Sequence, residues 1–249
     1  MMDVQVPELV SRAVEALPAA HRPADLESLL CGYLSHLLER NREINLVSRK
    51  DTLVHVERFT FECLFLARVL YEERGERRAA AKPPKLLDIG SGGGFPGLVL
   101  KIAMPDLELV LVEATRKKAR FLADVAAGLD LRQTKVLGGR TEDLLQVEKV
   151  SGVRELGHRF DWVTCKALGT LQNSAALAEP FLAPHGVHWT FKGSACREEI
   201  EAAGGFFRQR GLAPRRVERI PGAADSYVVG VERLSASGAG RSRASRPSR

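Results

Sequence analysis

The spacing of apolar residues divides the chain into two parts. Over the first 80 residues they recur at helical intervals. Val10, Val14 and Leu17 share one face; Leu26, Leu29, Leu30, Tyr33, Leu34, Leu37 and Leu38 share another; a third run extends from Leu53 to Tyr71. Asp25 stands where an N-cap belongs. "NREINLVSRKD" (41–51) breaks the pattern with polar residues. "EERGERRAAAKPPK" closes the helical part with charges and two prolines, which cannot continue a helix.

From Lys85 the period changes. "KLLDI" (85–89), "ELVLVE" (108–113), "TKVLG" (134–138), "FDWVTC" (160–165) and "GVHWTFK" (186–192) are short apolar runs that predict strands. "PGLVLKIA", "RKKARFLADVAAGL", "LQNSAALAEPFL" and the stretch around 195–210 predict helices between them. This alternation implies a parallel sheet covered by helices on both faces. "PRRVERI" (214–220) and "SYVVGVERL" (226–234) are joined by "PGAAD", too short for a crossover helix, so they predict an antiparallel pair. The expectation is an α/β fold: a seven-stranded Rossmann-like sheet over 81–234, its last two strands a hairpin, after a helical extension over 1–80.

Composition changes this picture little. An apolar content of 45% over 249 residues supports an ordinary core. No apolar run spans a bilayer, and the start "MMDVQVPELVSRAVEAL" lacks a signal pattern, so a cytoplasmic protein is expected. Cys31, Cys63, Cys165 and Cys196 form no C-x-x-C pair, which argues against zinc and for free, mostly buried thiols. The net charge is +6, but residues 235–249, "SASGAGRSRASRPSR", hold four arginines and no acid. That basic tail lacks apolar anchors and is expected to be disordered. The rest is mildly basic, a weak pointer to an anionic partner.

The chemistry concentrates in "LLDIGSGGGFPGLVL" (86–100), where five glycines fall within eight positions between a strand and a helix. Ligands of open α/β sheets bind at the carboxyl ends of the strands, and glycines there let a ligand approach the backbone. Gly92-x-Gly94-x-x-Gly97 fits a dinucleotide pattern, a weak signal alone. Asp88 ahead of Gly90, Gly92 and Gly94 favours S-adenosylmethionine (SAM): a strand-end carboxylate facing the cleft could accept hydrogen bonds near the ammonium of the methionine part. Glu113, ending the second strand, could accept both ribose hydroxyls, in a SAM or an NAD site alike.

"NREINLVSRKD", "LLDIGSGGGFPGLVLKIAMPDLELVLVEATRKKARFL", "GGRTEDL", "FDWVTCKAL" and "FKG" together resemble the glucose-inhibited division protein B family from about Asp25 to Glu232. "GFPG" and the preceding "NL" carry the resemblance more specifically than the glycines. It implies a SAM-dependent methyltransferase acting on guanine N7 of small-subunit (16S) ribosomal RNA, alone or in a ribosomal particle, as a monomer. It implies cofactor contacts at Gly90, Phe95, Glu113, Thr141, Glu142 and Lys166. Asn45 and Leu46 match the family's "NL", and Lys192 and Gly193 its "KG". Asn45 would shape the cleft through backbone hydrogen bonds or touch the base; Lys166 and Lys192 would meet RNA phosphate or the cofactor carboxylate.

Three places depart from the family pattern. R-H-x-x-D-S reads Arg58-Phe59-Thr60-Phe61-Glu62-Cys63, Lys166 replaces an arginine, and R-H-L reads Ser226-Tyr227-Val228. Guanine N7 bears a free lone pair, so its methylation needs alignment and no general base. Methylation of an exocyclic amine would call for a Pro-Pro-Tyr type loop where Thr164-Cys165-Lys166-Ala167 stands. Methylation of cytosine C5 would need a thiolate, for which Cys165 is the candidate. An RNA-binding protein without turnover and a small-molecule methyltransferase are the other readings.

Overall fold

The computed structural model describes residues 2–76, 82–140, 159–166, 169–223 and 225–235. The expected tail and the boundary near residue 80 lie mostly outside them. Helices α1 (Met2–Ala13), α2 (Leu26–Arg40) and α3 (Thr52–Glu76) come first. Asp25 holds the N-cap position of α2, but its side chain makes no capping bond; its carbonyl instead accepts from the Ser28 hydroxyl.

The sheet follows, with β1 (Lys85–Ile89), α4 (Gly97–Ala103), β2 (Glu108–Glu113), α5 (Arg116–Gly128), β3 (Thr134–Gly138), β4 (Phe160–Cys165), α6 (Leu171–Ala178), β5 (Leu182–Lys192), α7 (Cys196–Arg210), β6 (Leu212–Arg219) and β7 (Tyr227–Arg233). Strand order is β3-β2-β1-β4-β5-β7-β6. β1 to β5 run parallel, and β7 runs antiparallel to both β5 and β6. β1 to β4 occupy their expected positions. β5 begins four residues earlier than expected, because Leu182 pairs with Phe160 before a register shift at Phe160/Trp162. Pro184 and Gly186 had disguised that end as a turn.

Period-2 alternation sorts the strand residues into two cores. Leu86, Leu109, Leu111, Trp162, Trp189 and Val228 face α4, α5 and the extension. Leu87, Ile89, Val112, Val163, Val229 and Val231 face α6 and α7. The extension therefore shares the first core and has none of its own. Ion pairs reinforce this: Arg68 and Arg216 both bind Glu72 and Glu218, and Arg215 binds Glu73 and Glu232, tying α3 to β6 and β7. The four cysteines are free, three of them buried. Among the described residues no helix is long and apolar enough to cross a membrane.

Candidate cofactor and substrate cleft

The glycine loop leaves β1 at the carboxyl edge of the sheet. Gly90 and Ser91 both donate their N–H groups to the Val112 carbonyl, at 2.9 and 3.1 Å, so the loop folds over the end of β2. There Glu113 closes the arrangement. Its Oε2 accepts the Gly92 N–H at 2.9 Å and its Oε1 the Thr115 N–H at 2.8 Å. Gly92 has φ +55°, and a Cβ there would meet nothing nearer than the Gly90 carbonyl at 3.8 Å. The left-handed conformation thus favours glycine, and the space beside it is open.

The extension supports the loop from behind. The buried Tyr33 hydroxyl donates to the Gly93 carbonyl at 2.7 Å. Phe95 packs against Tyr33 and Phe59, with ring centroids 5.7 and 5.6 Å away. Its ring is buried there, so position 95 offers a ligand main chain and little side chain. Tyr33 was legible only as one more core position of its helix.

Asp88 corrects the sequence reading. It is fully buried and does not face the cleft. Its Oδ1 accepts from the Thr164 hydroxyl at 2.8 Å and its Oδ2 from the Gly97 N–H at 3.2 Å. The carboxylate is a bolt between β1, β4 and the first turn of α4. The preference for SAM over NAD cannot rest on it. Burial pushes its carboxyl up to about 7, against the pull of its hydrogen bonds. A carboxyl raised in the folded state binds protons that the unfolded chain has already released. Between about pH 4 and pH 7 folding is then weakened as pH rises. Thermal melts of the wild type should show this loss, and Asp88→Asn should flatten that part of the profile. A wild-type slope retained in the Asp88→Asn variant would show that the titrating group lies elsewhere.

Asn45 is exposed, and the backbone bracing expected of it belongs to Asn41, buried at the end of α2; a contact of Asn45 with the base stays an expectation. Asn41 Oδ1 accepts the N–H groups of Leu46 and Val47 at 2.8 and 3.0 Å. An asparagine directly after the last turn of an apolar helix was the available signal.

Lys192 is spent on structure. Its ammonium binds the Gly169 carbonyl at 2.7 Å and Glu199 at 2.9 Å, and its side chain is 7% exposed. Lys166 lies at the end of β4, 2.8 Å from Glu62 and 3.6 Å from the centroid of Phe59. Thr141 and Glu142 lie outside the described residues.

Cys165 has a histidine partner but not a reactive setting. Its sulfur lies 3.7 Å from His188 Nε2, which also meets the Ser174 hydroxyl at 3.0 Å; His188 Nδ1 donates to the Val163 carbonyl at 3.1 Å. All are buried under α6. Desolvation raises the thiol to about 12 and lowers the imidazole to about 4, so both are neutral near pH 7. A thiolate nucleophile is disfavoured.

The sequence model of the family described as rRNA small subunit methyltransferase G matches residues 26–220. A protein of that name from Sorangium cellulosum (strain So ce56) is 42% identical over 179 residues, 72% of this chain and 69% of its own. Another from Geobacter sp. (strain M21) is 34% identical over 196 residues, 79% and 82% of the two chains. Among solved structures, a putative methyltransferase, yhhF from Escherichia coli, is 15% identical, covering 68% of this chain and 86% of its own at a TM-score of 0.46. With its sheet order, its glycine loop and a family match across most of its length, the chain belongs to the rRNA small subunit methyltransferase G family.

Proposed function

We propose that the chain transfers a methyl group to N7 of a guanine in small-subunit (16S) ribosomal RNA. SAM, the cofactor of this family, supplies an electrophilic methyl on a sulfonium. The residues that would hold it are Gly90 and Gly92 of the loop, the main chain at Phe95, Glu113 at the ribose, and Lys166, with Thr141 and Glu142 expected to join them. Glu113 suits the role: a carboxylate has about four acceptor sites, and two are used by N–H groups of the loop region.

The observation favouring N7 is the absence of a poised base among the described cleft residues. Asp88 and His188 are buried and hydrogen-bonded, the Cys165 thiol is held protonated, Glu62 is paired with Lys166, and Glu113 is engaged by the Gly92 and Thr115 N–H groups on the ribose side. N7 presents an in-plane lone pair with no proton on it, so no residue has to remove one. What remains for the chain is orientation and exclusion of water.

RNA as the partner is favoured by unpaired cations. Arg116, Lys117 and Arg120 open α5 directly after Glu113 and are exposed, and among the described residues none of them pairs with an acid. Cations at a helix N-terminus oppose the helix dipole, so local stability does not explain them. An anionic polymer does.

The test is transfer of labelled methyl to unmodified small-subunit rRNA, with strand cleavage at N7-methylated guanine as the readout. Wild type should label one such site. Cys165→Ser should keep most of the turnover, because the thiol there is packing. Label on cytosine C5, or a folded but inactive Cys165→Ser, would overturn the N7 reading.

A further inference from the structure

The three departures from the family pattern meet at one point. Phe59 and Glu62 sit on α3, Lys166 directly follows β4, and Ser226 stands just before β7. The Lys166 ammonium lies over the Phe59 ring, 3.6 Å from its centroid, with the Phe191 centroid 4.8 Å away. Glu62 Oε2 accepts from it at 2.8 Å, while Glu62 Oε1 accepts from the Ser226 hydroxyl at 3.1 Å. Arg58 Nε stands 3.8 Å from that same Oε1. Glu62 is 5% exposed and Lys166 14% at the side chain.

We propose that Phe59, Phe191, Glu62 and Ser226 are positioning residues that hold the Lys166 ammonium at the cleft as the receptor for an anionic oxygen of the reactants, and that this box takes an ammonium and rejects a guanidinium. This rests on the methyl transfer proposed above. The ammonium has three donors and Glu62 takes one, so two remain for an incoming anion. The rings hold the cation through their faces without using a donor. A guanidinium binds a carboxylate best as a two-pronged fork that needs both oxygens. Here Oε1 already accepts from Ser226 and faces the Arg58 guanidinium, and two rings bound the space on the Lys166 side, so a fork across both oxygens is crowded out. The residues at the three places therefore act together: a compact ammonium, a carboxylate that reaches it, an aromatic face beneath it and a hydroxyl on the other carboxylate oxygen.

The anionic oxygen belongs either to RNA phosphate or to the carboxylate of SAM, and a binding cycle separates them. Rescue of Lys166→Arg by Glu62→Asp with Phe59→His tests the box as a unit. SAM binding by calorimetry and rRNA binding across a salt series are measured for wild type, Lys166→Ala, Phe59→Leu and the double variant. Phe59→Leu keeps the net charge and most of the volume. If phosphate is the ligand, Lys166→Ala lowers the salt slope of RNA binding by about 1, and Phe59→Leu reproduces much of that loss. If the cofactor carboxylate is the ligand, SAM affinity falls instead and the slope stays. Either way, Phe59→Leu costs clearly less in the Lys166→Ala background than in the wild type, what remains being its packing on Phe95 of the glycine loop, because residues in one contact network are not additive. Lys166→Arg should lose about tenfold in the same binding constant, within the coupling expected of contacting residues, and regain it in the triple variant. Additive effects of Phe59→Leu and Lys166→Ala, or an unimpaired Lys166→Arg, would overturn the proposal. If Phe59→Leu fails to fold, Glu62→Gln carries the cycle. A wild type that binds RNA and SAM but transfers no methyl refutes the reaction and leaves this cycle to decide the box.

Discussion

Replacing Glu113 by alanine is expected to weaken SAM binding by about 100-fold or more, beyond what loss of a ribose contact alone would give. A hydrogen bond to a charged group contributes about 1.5–3 kcal/mol, and tenfold in affinity is about 1.4 kcal/mol. The carboxylate has two tasks. It receives the N–H groups of Gly92 and Thr115, which fixes the glycine loop against the start of α5, and its spare acceptor sites are those proposed for the ribose. Alanine releases the loop and removes the acceptors together. Glu113→Gln should fall between, since the Gly92 and Thr115 N–H groups sit on different oxygens and the amide turns a donor NH2 toward one of them. Calorimetry with SAM and with its demethylated product checks this, with melting curves to establish that each variant is folded. A folded Glu113→Ala with the wild-type dissociation constant would remove Glu113 from the site.

What the sequence made legible follows from how far apart the cooperating residues are. The strands and the glycine loop are local patterns: "KLLDI" and "ELVLVE" are apolar runs between polar breaks, and their bounds match β1 and β2. Glu113 could be placed beside the glycine loop because being the last residue of a strand puts a side chain at the sheet edge. Asp88 was misplaced because it lies one residue before the end of β1, where alternation aims it at a face. Leu87 and Ile89 enter one core, so Leu86 and Asp88 point the other way, into the space under α4. The rule that would have placed it is the same alternation that identified the strand. The Lys166–Glu62 pair had no such local signal. Its members are 104 residues apart in sequence, and only the packing of α3 on the sheet brings them together. The departures from the family pattern were visible one at a time; that they touch was not.

Gly97 is a position where adding a single methyl should cost substantial stability. A dinucleotide pattern assigns it to the ligand loop, but the structure gives it a packing task. A Cβ at residue 97 would stand 2.4 Å from Leu111 Cδ2, 2.8 Å from Asp88 Oδ2 and 3.1 Å from Asp88 Cβ. The first contact is with the end of a side chain that can rotate. The other two are with a fully buried carboxylate held from two sides, and its movement stretches the bonds from Gly97 and Thr164. Overpacking costs about 1–3 kcal/mol, and a weakened bond to a charged group adds about 1.5–3 kcal/mol. Gly97→Ala should therefore lose roughly 3 kcal/mol, which at about 2–4 °C per kcal/mol for a chain of this size lowers the melting temperature by roughly 6–12 °C. Leu111→Val in the same chain removes the nearest clash and should restore only part of the loss, because the contacts with Asp88 persist. Calorimetric melts of the two single variants and the double variant decide it. Full restoration by Leu111→Val would reduce Gly97 to a simple matter of space beside a leucine, and an unchanged melting temperature in Gly97→Ala would show that the bolt through Asp88 is not under tension from this side.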